Sequence, residues 1–274
     1  MNSATAHHAL RESALQAFLQ PEPRLKVDAV SRLQQAWQQH LVRLDADTDF
    51  ATRQVLPGRP LKPDLVSPKA VGKRAMNTAE GRAVLIHALA HIEFNAINLA
   101  LDAVWRFAAM PRDYYADWLQ VAAEEAYHFT LLNDHLRTLG HGYGDFPAHN
   151  SLWEMAEKTS GDILARMALV PRTMEARGLD ATPALRAKLA QAGDSQAAAI
   201  LDIILRDEIG HVAIGNRWFH HLCEQRGMEP LTAYETLAKL YRAPVLRGPF
   251  NIEARRAAGF SESELARLTC TSAG

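Results

Sequence analysis

The sequence predicts an all-α protein organised around a bundle of four long helices. Three observations point there. Hydrophobic residues make up 48 % of the 274 positions but aromatics only 7 %, with Ala and Leu abundant and runs of Val and Ile scarce, which favours helix over sheet. Four long segments carry apolar residues at the helical period and are punctuated by Pro and Gly. Two of those segments repeat one unusual acidic pattern.

The elements follow in order. Residues 9–20 and 24–44 read as short amphipathic helices split by Pro21 and Pro23. The segment Val55 to Lys73 carries Pro57, Pro60, Pro63 and Pro68 with Gly58 and Gly72, so it reads as an extended, wrapping linker. Thr78 is an N-cap candidate for a helix over 79–109 that stops before Pro111. The next helix runs from Asp113 to Leu139 and ends at Gly140, Gly142 and Gly144. A loop with Pro147 leads to a third long helix, Ser151 to Arg177, with a kink expected at Pro171 and a break from Gly178 to Pro183. A short helix then ends near Gly193, and a fourth long helix runs from Asp194 or Ser195 to Gln225, with Gly227 as the stop. The tail holds Pro244, Gly248 and Pro249, then a short helix from Ser261. The expected organisation is therefore an N-terminal helical arm and linker over 1–77, a four-helix body over 78–227, and a C-terminal tail packing on it over 228–274.

The bulk numbers exclude several classes. A formal net charge of −1 gives no electrostatic case for nucleic acid or an anionic membrane. Cys223 and Cys270 form neither a metal-ligand spacing nor a disulfide framework, so two free thiols are expected. Met1 to Gln20 lacks the basic start and continuous apolar run of a signal peptide, and no stretch approaches the ~20 apolar residues of a membrane span. A cytoplasmic location is the resulting expectation.

The repeated pattern carries the chemistry. The second long helix contains Glu124-Glu125-Ala126-Tyr127-His128 and the fourth contains Asp207-Glu208-Ile209-Gly210-His211. Residues three apart share a helix face, so Glu125 with His128, and Glu208 with His211, can each present an oxygen and an imidazole nitrogen to one point. A chain with 16 Glu and 12 His is expected to contain fewer than one Glu-x-x-His by chance, so a single match is uninformative, whereas two with a preceding acid are not. Dinuclear carboxylate sites in bundles take one further Glu from each of the other two helices. Glu93 precedes Glu125 by 32 residues and Glu175 precedes Glu208 by 33, each pair straddling a turn at nearly equal distances, whereas Glu154 and Glu157 lie too far upstream. Four carboxylates and two imidazoles without thiolate suit a pair of iron or manganese ions and tolerate zinc. Glu124 and Asp207 are placed to hold the second nitrogens of the histidines.

Other residues read more plainly. His87 and His91 near Glu93 suggest polar packing or support of the ligands. Tyr127 and Trp105, Trp118, Trp153 and Trp218 read as core or interface, and His135, His141 and His149 as surface. His220 and His221 carry no assigned role. Arg166, Arg172, Arg177, Arg186 and Lys188 read as a solvated face laced with salt bridges.

Taken together, PGRPLKP (Pro57 to Pro63), EGRAVLIHALAHIEFNAINLALD (Glu80 to Asp102), EEAYHF (Glu124 to Phe129), RMALVPRTMEARGLD (Arg166 to Asp180), RDEIGH (Arg206 to His211) and GPFNIEARRAAGF (Gly248 to Phe260) resemble the ferritin-like proteins gathered as domain-of-unknown-function family 455. The resemblance spans roughly residues 55–260. It implies a ferritin-like bundle and a di-metal site on Glu93, Glu125, His128, Glu175, Glu208 and His211, but brings no settled activity. The helix pattern is also similar, at the level of fold alone, to the tRNA hydroxylase branch of the superfamily.

The leading expectation is a non-haem di-iron oxidase or hydroxylase, with dioxygen and a small organic molecule as reactants and a homodimer as a compatible assembly. No Gly-rich phosphate loop and no serine or cysteine triad signature competes with it. The alternative is a metal-binding protein without organic substrate, either an iron store or ferroxidase or a bundle that a metal pair braces.

Overall fold

The computed structural model describes residues 9–48, 50, 56–71 and 75–271, the side chains of Cys270 and Thr271 excepted. Among these residues the regular elements are helical, and strand-like pairing is limited to single bridges between Ala9 and Arg43 and between Leu65 and Ala148. The chain divides into two compact units, Met1–Gly72 with Ala83–His149, and Lys73–Arg82 with Asn150–Gly274.

The first unit is built on four helices, α1 (Leu10–Leu19), α2 (Pro23–Gln38), α3 (Ala79–Arg106) and α4 (Arg112–Thr138). Pro23 opens α2, where its missing N–H would have lacked a helical partner anyway, and the Glu22 carboxylate accepts from Leu25 N at 2.7 Å. α2 ends at Gln38 rather than 44 because His40 turns left-handed, with φ 58°. Thr78 caps α3 as expected, its Oγ1 accepting from Gly81 N at 3.0 Å. The α3–α4 turn at Pro111 is held by two tyrosines of the first turn of α4. Tyr114 OH donates to Ala103 O at 3.1 Å, and Tyr115 OH donates to Phe107 O at 3.0 Å.

Two buried basic side chains tie the N-terminal helices to α3. The Arg11 guanidinium donates to Asp45 O (3.1 Å), Ala46 O (3.0 Å) and Trp105 O (2.9 Å). Lys26 Nζ donates to Phe18 O at 2.8 Å and to the Asn98 side chain. The linker is irregular as expected, apart from one 3-10 turn at Pro68–Ala70, and its ends at Val55 and Lys73 lie outside the described residues. α3 is long and apolar enough to cross a membrane by length and composition, contrary to the sequence reading, yet 78 % of its most apolar window is buried inside the protein.

The second unit departs further from expectation. The predicted helix from Ser151 to Arg177 is three pieces: α5 (Ser151–Lys158), α6 (Ile163–Leu169) and a π-helical turn, Val170–Glu175. The break after α5 is stabilised from both sides. Asp162 caps α6 by accepting from Leu164 N at 3.0 Å, and Arg166 donates to Ala156 O (2.6 Å) and Thr159 Oγ1 (3.0 Å) at the end of α5. Arg166 and Arg172 are thus buried rather than on a solvated face, because each satisfies backbone or side-chain acceptors inside the unit. Arg186, paired with Asp202 at 3.0 Å, is exposed as expected. The kink expected at Pro171 is the π turn, in which Thr173 Oγ1 donates to Ala168 O at 2.8 Å.

The predicted break from Gly178 to Pro183 is absent, and α7 (Ala176–Gln191) runs through it. Pro183 has no N–H for the carbonyl four residues back, which is Leu179 O. Asn251 Nδ2 supplies that donor from outside the helix at 3.2 Å. Asp194 caps α8 (Ser195–Gln225), accepting from Ala197 N at 2.9 Å. The tail holds three helices rather than the single one expected, α9 (Pro230–Leu240), α10 (Ile252–Ala257) and α11 (Glu262–Thr271). Glu229 caps α9 and Asn251 caps α10, both signals that the proline and glycine count had masked. Ala176, Leu179, Val212, Ala254, Ala258, Phe260 and Leu265 form one buried cluster, so α10 and α11 are part of the core of this unit. Cys223 is buried and free as expected, and the Cys270 side chain lies outside the described residues.

Close packing between α8 and the π turn gives a direct test. A Cβ placed on Gly215 would lie 2.5 Å from Pro171 Cβ and 2.7 Å from its Cγ, whereas one on Gly210 of the same helix meets nothing within 4 Å. Gly215→Ala should destabilise the protein by about 1–3 kcal/mol, and Gly210→Ala should stabilise it by about 0.5–1 kcal/mol. Urea denaturation of the two variants checks the opposite signs.

Candidate metal centre

The first unit brings three of the sequence-predicted ligands together. Glu93 projects from the middle of α3, and Glu125 and His128 from one face of α4, all at 4 % exposure or less. His128 Nδ1 lies 3.4 Å from Glu125 Oε2 and 3.5 Å from Glu93 Oε2. The ligand atoms of the three residues fall within 4.8 Å of one another. These separations are long for hydrogen bonds, but they match ligand atoms sharing one cation, which sit ~3.0–3.4 Å apart when the bonds are roughly 2.1 Å.

Electrostatics agree with the geometry. Burial, and then the Glu125 charge, hold the Glu93 carboxyl well above the ordinary carboxylate range. Burial pulls the His128 imidazole down, but the hydrogen bonds and charges of Glu125 and Glu93 outweigh it and push it up to about 11. The trio thus tends to retain protons that a divalent cation would replace. Glu93 Oε2 is buried and meets His128 Nδ1 only at 3.5 Å, too long for a good hydrogen bond. A buried carboxylate oxygen left in this way fits a metal ligand better than a packing role.

The second unit carries the matching motif. On α8, Glu208 and His211 are buried, with His211 Nδ1 3.8 Å from Glu208 Oε1. The Glu-x-x-His geometry of α4 is therefore repeated, with Nδ1 again on the side of the glutamate. Glu175 closes the π turn at Val170–Glu175 and is half-buried. Such turns re-aim a side chain relative to a regular helix. Glu124 accepts from Gln120 Nε2 at 3.0 Å, and Asp207 accepts from Arg206 Nε at 2.7 Å, so each takes a hydrogen bond from its own helix.

The sequence reading missed the support behind Glu93 and His128. Phe94 and Phe129, the residues next to these ligands, both pack on Tyr143, with ring centroids 5.4 Å and 5.1 Å away. Tyr143 OH lies 2.9 Å from His91 Nδ1, and Gly144 N donates to His87 Nε2 at 3.0 Å. Burial holds both imidazoles down to about 4, so they pack as neutral rings. His87 and His91 therefore brace a loop against α3, as the packing reading expected. Tyr143 lies between Gly142 and Gly144, where it read only as loop. His135 is buried on the inward face of α4 beside Leu132 and Leu136, not on the surface, and Tyr127 is half exposed rather than core. The four tryptophans are buried as expected.

The chain belongs to the family described as protein of unknown function (DUF455), whose model matches residues 19–266. It is 51 % identical over 232 residues to an uncharacterized protein of Haemophilus influenzae, covering 82 % of this chain and 81 % of that relative. No solved structure matches it.

A cation entering the trio must displace protons from His128 and Glu93. Anaerobic titration of the apoprotein with Fe(II) or Mn(II) in weak buffer should therefore release protons, and the apparent affinity should rise from pH 6 to pH 8. Potentiometry alongside the titration checks it, and Glu93→Gln should release fewer protons per ion. A pH-independent affinity with no proton release would remove the trio from the site.

Proposed function

We propose that the protein is a carboxylate-bridged di-metal protein of the ferritin-like superfamily. In this reading Glu93, Glu125, His128 and Glu208 form the ligand group together with Glu175 and His211, and iron is the working metal. The observation that carries it is the doubled Glu-x-x-His. Both copies are buried, and in both the imidazole Nδ1 is turned toward the glutamate three residues earlier. A helical chain has no packing reason to bury that pair twice. Mixed carboxylate and imidazole donors without thiolate suit iron or manganese over softer metals.

The activity that fits is an oxygen-dependent oxidase or hydroxylase acting on a small organic molecule. When bound, a pair of ferrous ions supplies the electrons that reduce dioxygen. The chain's own groups supply the rest. Glu93 and Glu125 neutralise the added charge, His128 gives up its proton on loading, and the apolar walls of α3 and α4 exclude bulk water. The Tyr143 packing fixes the register of Phe94 and Phe129, and with it the direction of the adjacent ligands.

Glu125→Ala should lose at least one of two bound ions by elemental analysis of freshly purified protein; two ions at full occupancy would disprove the ligand set. The anaerobic Fe(II)-loaded wild type should consume dioxygen on mixing, measured with an oxygen electrode. Uptake no greater than an iron-free control would end the oxidase reading. Retention of zinc alone would favour a metal pair that braces the fold.

A further inference from the structure

We propose that the face formed by the α1–α2 turn and the proline-rich linker is the two-fold interface of a homodimer, with Leu61 of each copy seated in a cavity of the other. Exposed apolar side chains concentrate on this face. Leu19, Leu25, Leu56, Leu61 and Leu65 are 40–100 % exposed, and Leu61 is fully so. The linker lies directly on the turn, because Gly58 N donates to Phe18 O at 2.9 Å and its missing side chain lets the backbone meet Leu19 O. Contiguous exposed apolar area of this kind, edged by charge, marks a contact with another protein.

The cavity beside Leu61 has a volume of about 750 Å³. Pro23 and Val27 of α2, Pro60 of the linker and Phe129 of α4 give it an apolar lining. Pro60 and Pro63 bracket Leu61 and Lys62 and restrict the backbone of that segment. A fully exposed leucine on a stiffened segment loses little conformational freedom on docking. Knob and hole thus lie side by side on one patch. A two-fold contact requires that arrangement, since each copy must offer what the other takes.

The charges select the occupant. The cavity also carries three basic side chains, Arg24, Lys62 and Arg137, and three acidic ones, Glu22, Asp28 and Asp134. A patch of one sign would repel its own copy and call for a partner of opposite charge, whereas a balanced patch meets its own copy without that penalty. Lys62 is paired with Asp64 and Arg137 with Asp134, but Arg24 and Asp28 have no ion pair among the described residues. They lie one turn apart on α2. With the two α2 helices antiparallel across the axis, Arg24 of one copy meets Asp28 of the other, and the contact occurs twice. A different protein would have to bring both a protruding apolar side chain and mixed charge, and this chain already carries both.

Sedimentation velocity of the full chain tests this. The wild type should be a dimer at ~100 µM. Leu61→Asp, at a fully exposed position, should weaken the dimer about a hundredfold or more at an unchanged far-UV circular dichroism spectrum. Val245→Asp, also at an exposed position but in the second unit, should leave the dimer intact. Arg24→Glu should weaken association by like-charge repulsion, and adding Asp28→Arg should restore it. A wild type that stays monomeric at ~100 µM would overturn the proposal and leave the surface to a different protein. So would a dimer indifferent to Leu61→Asp, equal losses in Leu61→Asp and Val245→Asp, or a charge-swapped double variant that associates no more tightly than Arg24→Glu alone.

Discussion

The constraint on which the first unit depends is the burial of two carboxylates beside one imidazole. Glu93 and Glu125 cannot both remain ionised in a wall of Ala, Leu and Phe without a counter-charge, and the charge they meet is His128. Such a cluster tolerates little positional error, since a displacement of about 1 Å separates a shared coordination site from a broken ion pair. The surrounding structure is arranged to hold that tolerance. Tyr114 and Tyr115 fix where α4 leaves the Pro111 turn, and Tyr143 pins the residues flanking two of the ligands. Arg11 and Lys26 join the N-terminal helices to α3 through backbone and amide oxygens at Trp105 and Asn98, so the helix that carries Glu93 is held over its C-terminal part.

The second unit meets a different constraint, the presence of two prolines in a helical layer. Pro171 is absorbed by a π turn and by Gly215, whose missing side chain lets α8 approach the ring. Pro183 leaves Leu179 O without its helical donor, and Asn251 provides one from the segment that leads into α10. Both solutions reach across elements distant in sequence. They recruit the C-terminal helices into the core, where Arg255 pairs with Asp180 and Arg172 with Glu264.

Those long-range solutions mark the limit of what the sequence made legible. Three of the four expected long helices, α3, α4 and α8, and the doubled motif were readable because helical period and Glu-x-x-His spacing are local properties. The caps at Thr78 and Asp194 were readable for the same reason. Continuity through Pro183 was not, because the compensating donor, Asn251, lies 72 residues from the Leu179 carbonyl it satisfies. The break after Lys158 was locally signalled by Gly161 and the Asp162 cap, but the apolar period on either side concealed it. Buried Arg166 and Arg172 read as surface because charge alone does not reveal an acceptor at the far end of a side chain. Tyr143 carried no motif, so its place behind Phe94 and Phe129 followed only from the fold.

The same energetics bear on why the carboxylates are there at all. Replacing a buried ionic group by apolar residues of similar volume is often neutral or stabilising by about 1–4 kcal/mol, so a charged cluster is a poor device for holding helices together. Glu93, Glu125 and His128 lie among Ala, Leu and Phe positions that could close over the same space without them. A group that gains its stability only when a cation replaces its protons behaves differently. It makes the core conditional on metal, ties loading to pH, and leaves the protein less stable when empty. That conditional stability is a liability for a scaffold and an asset for a protein whose work depends on the metal, which is the physical reason to prefer the metal reading of this site to a packing one.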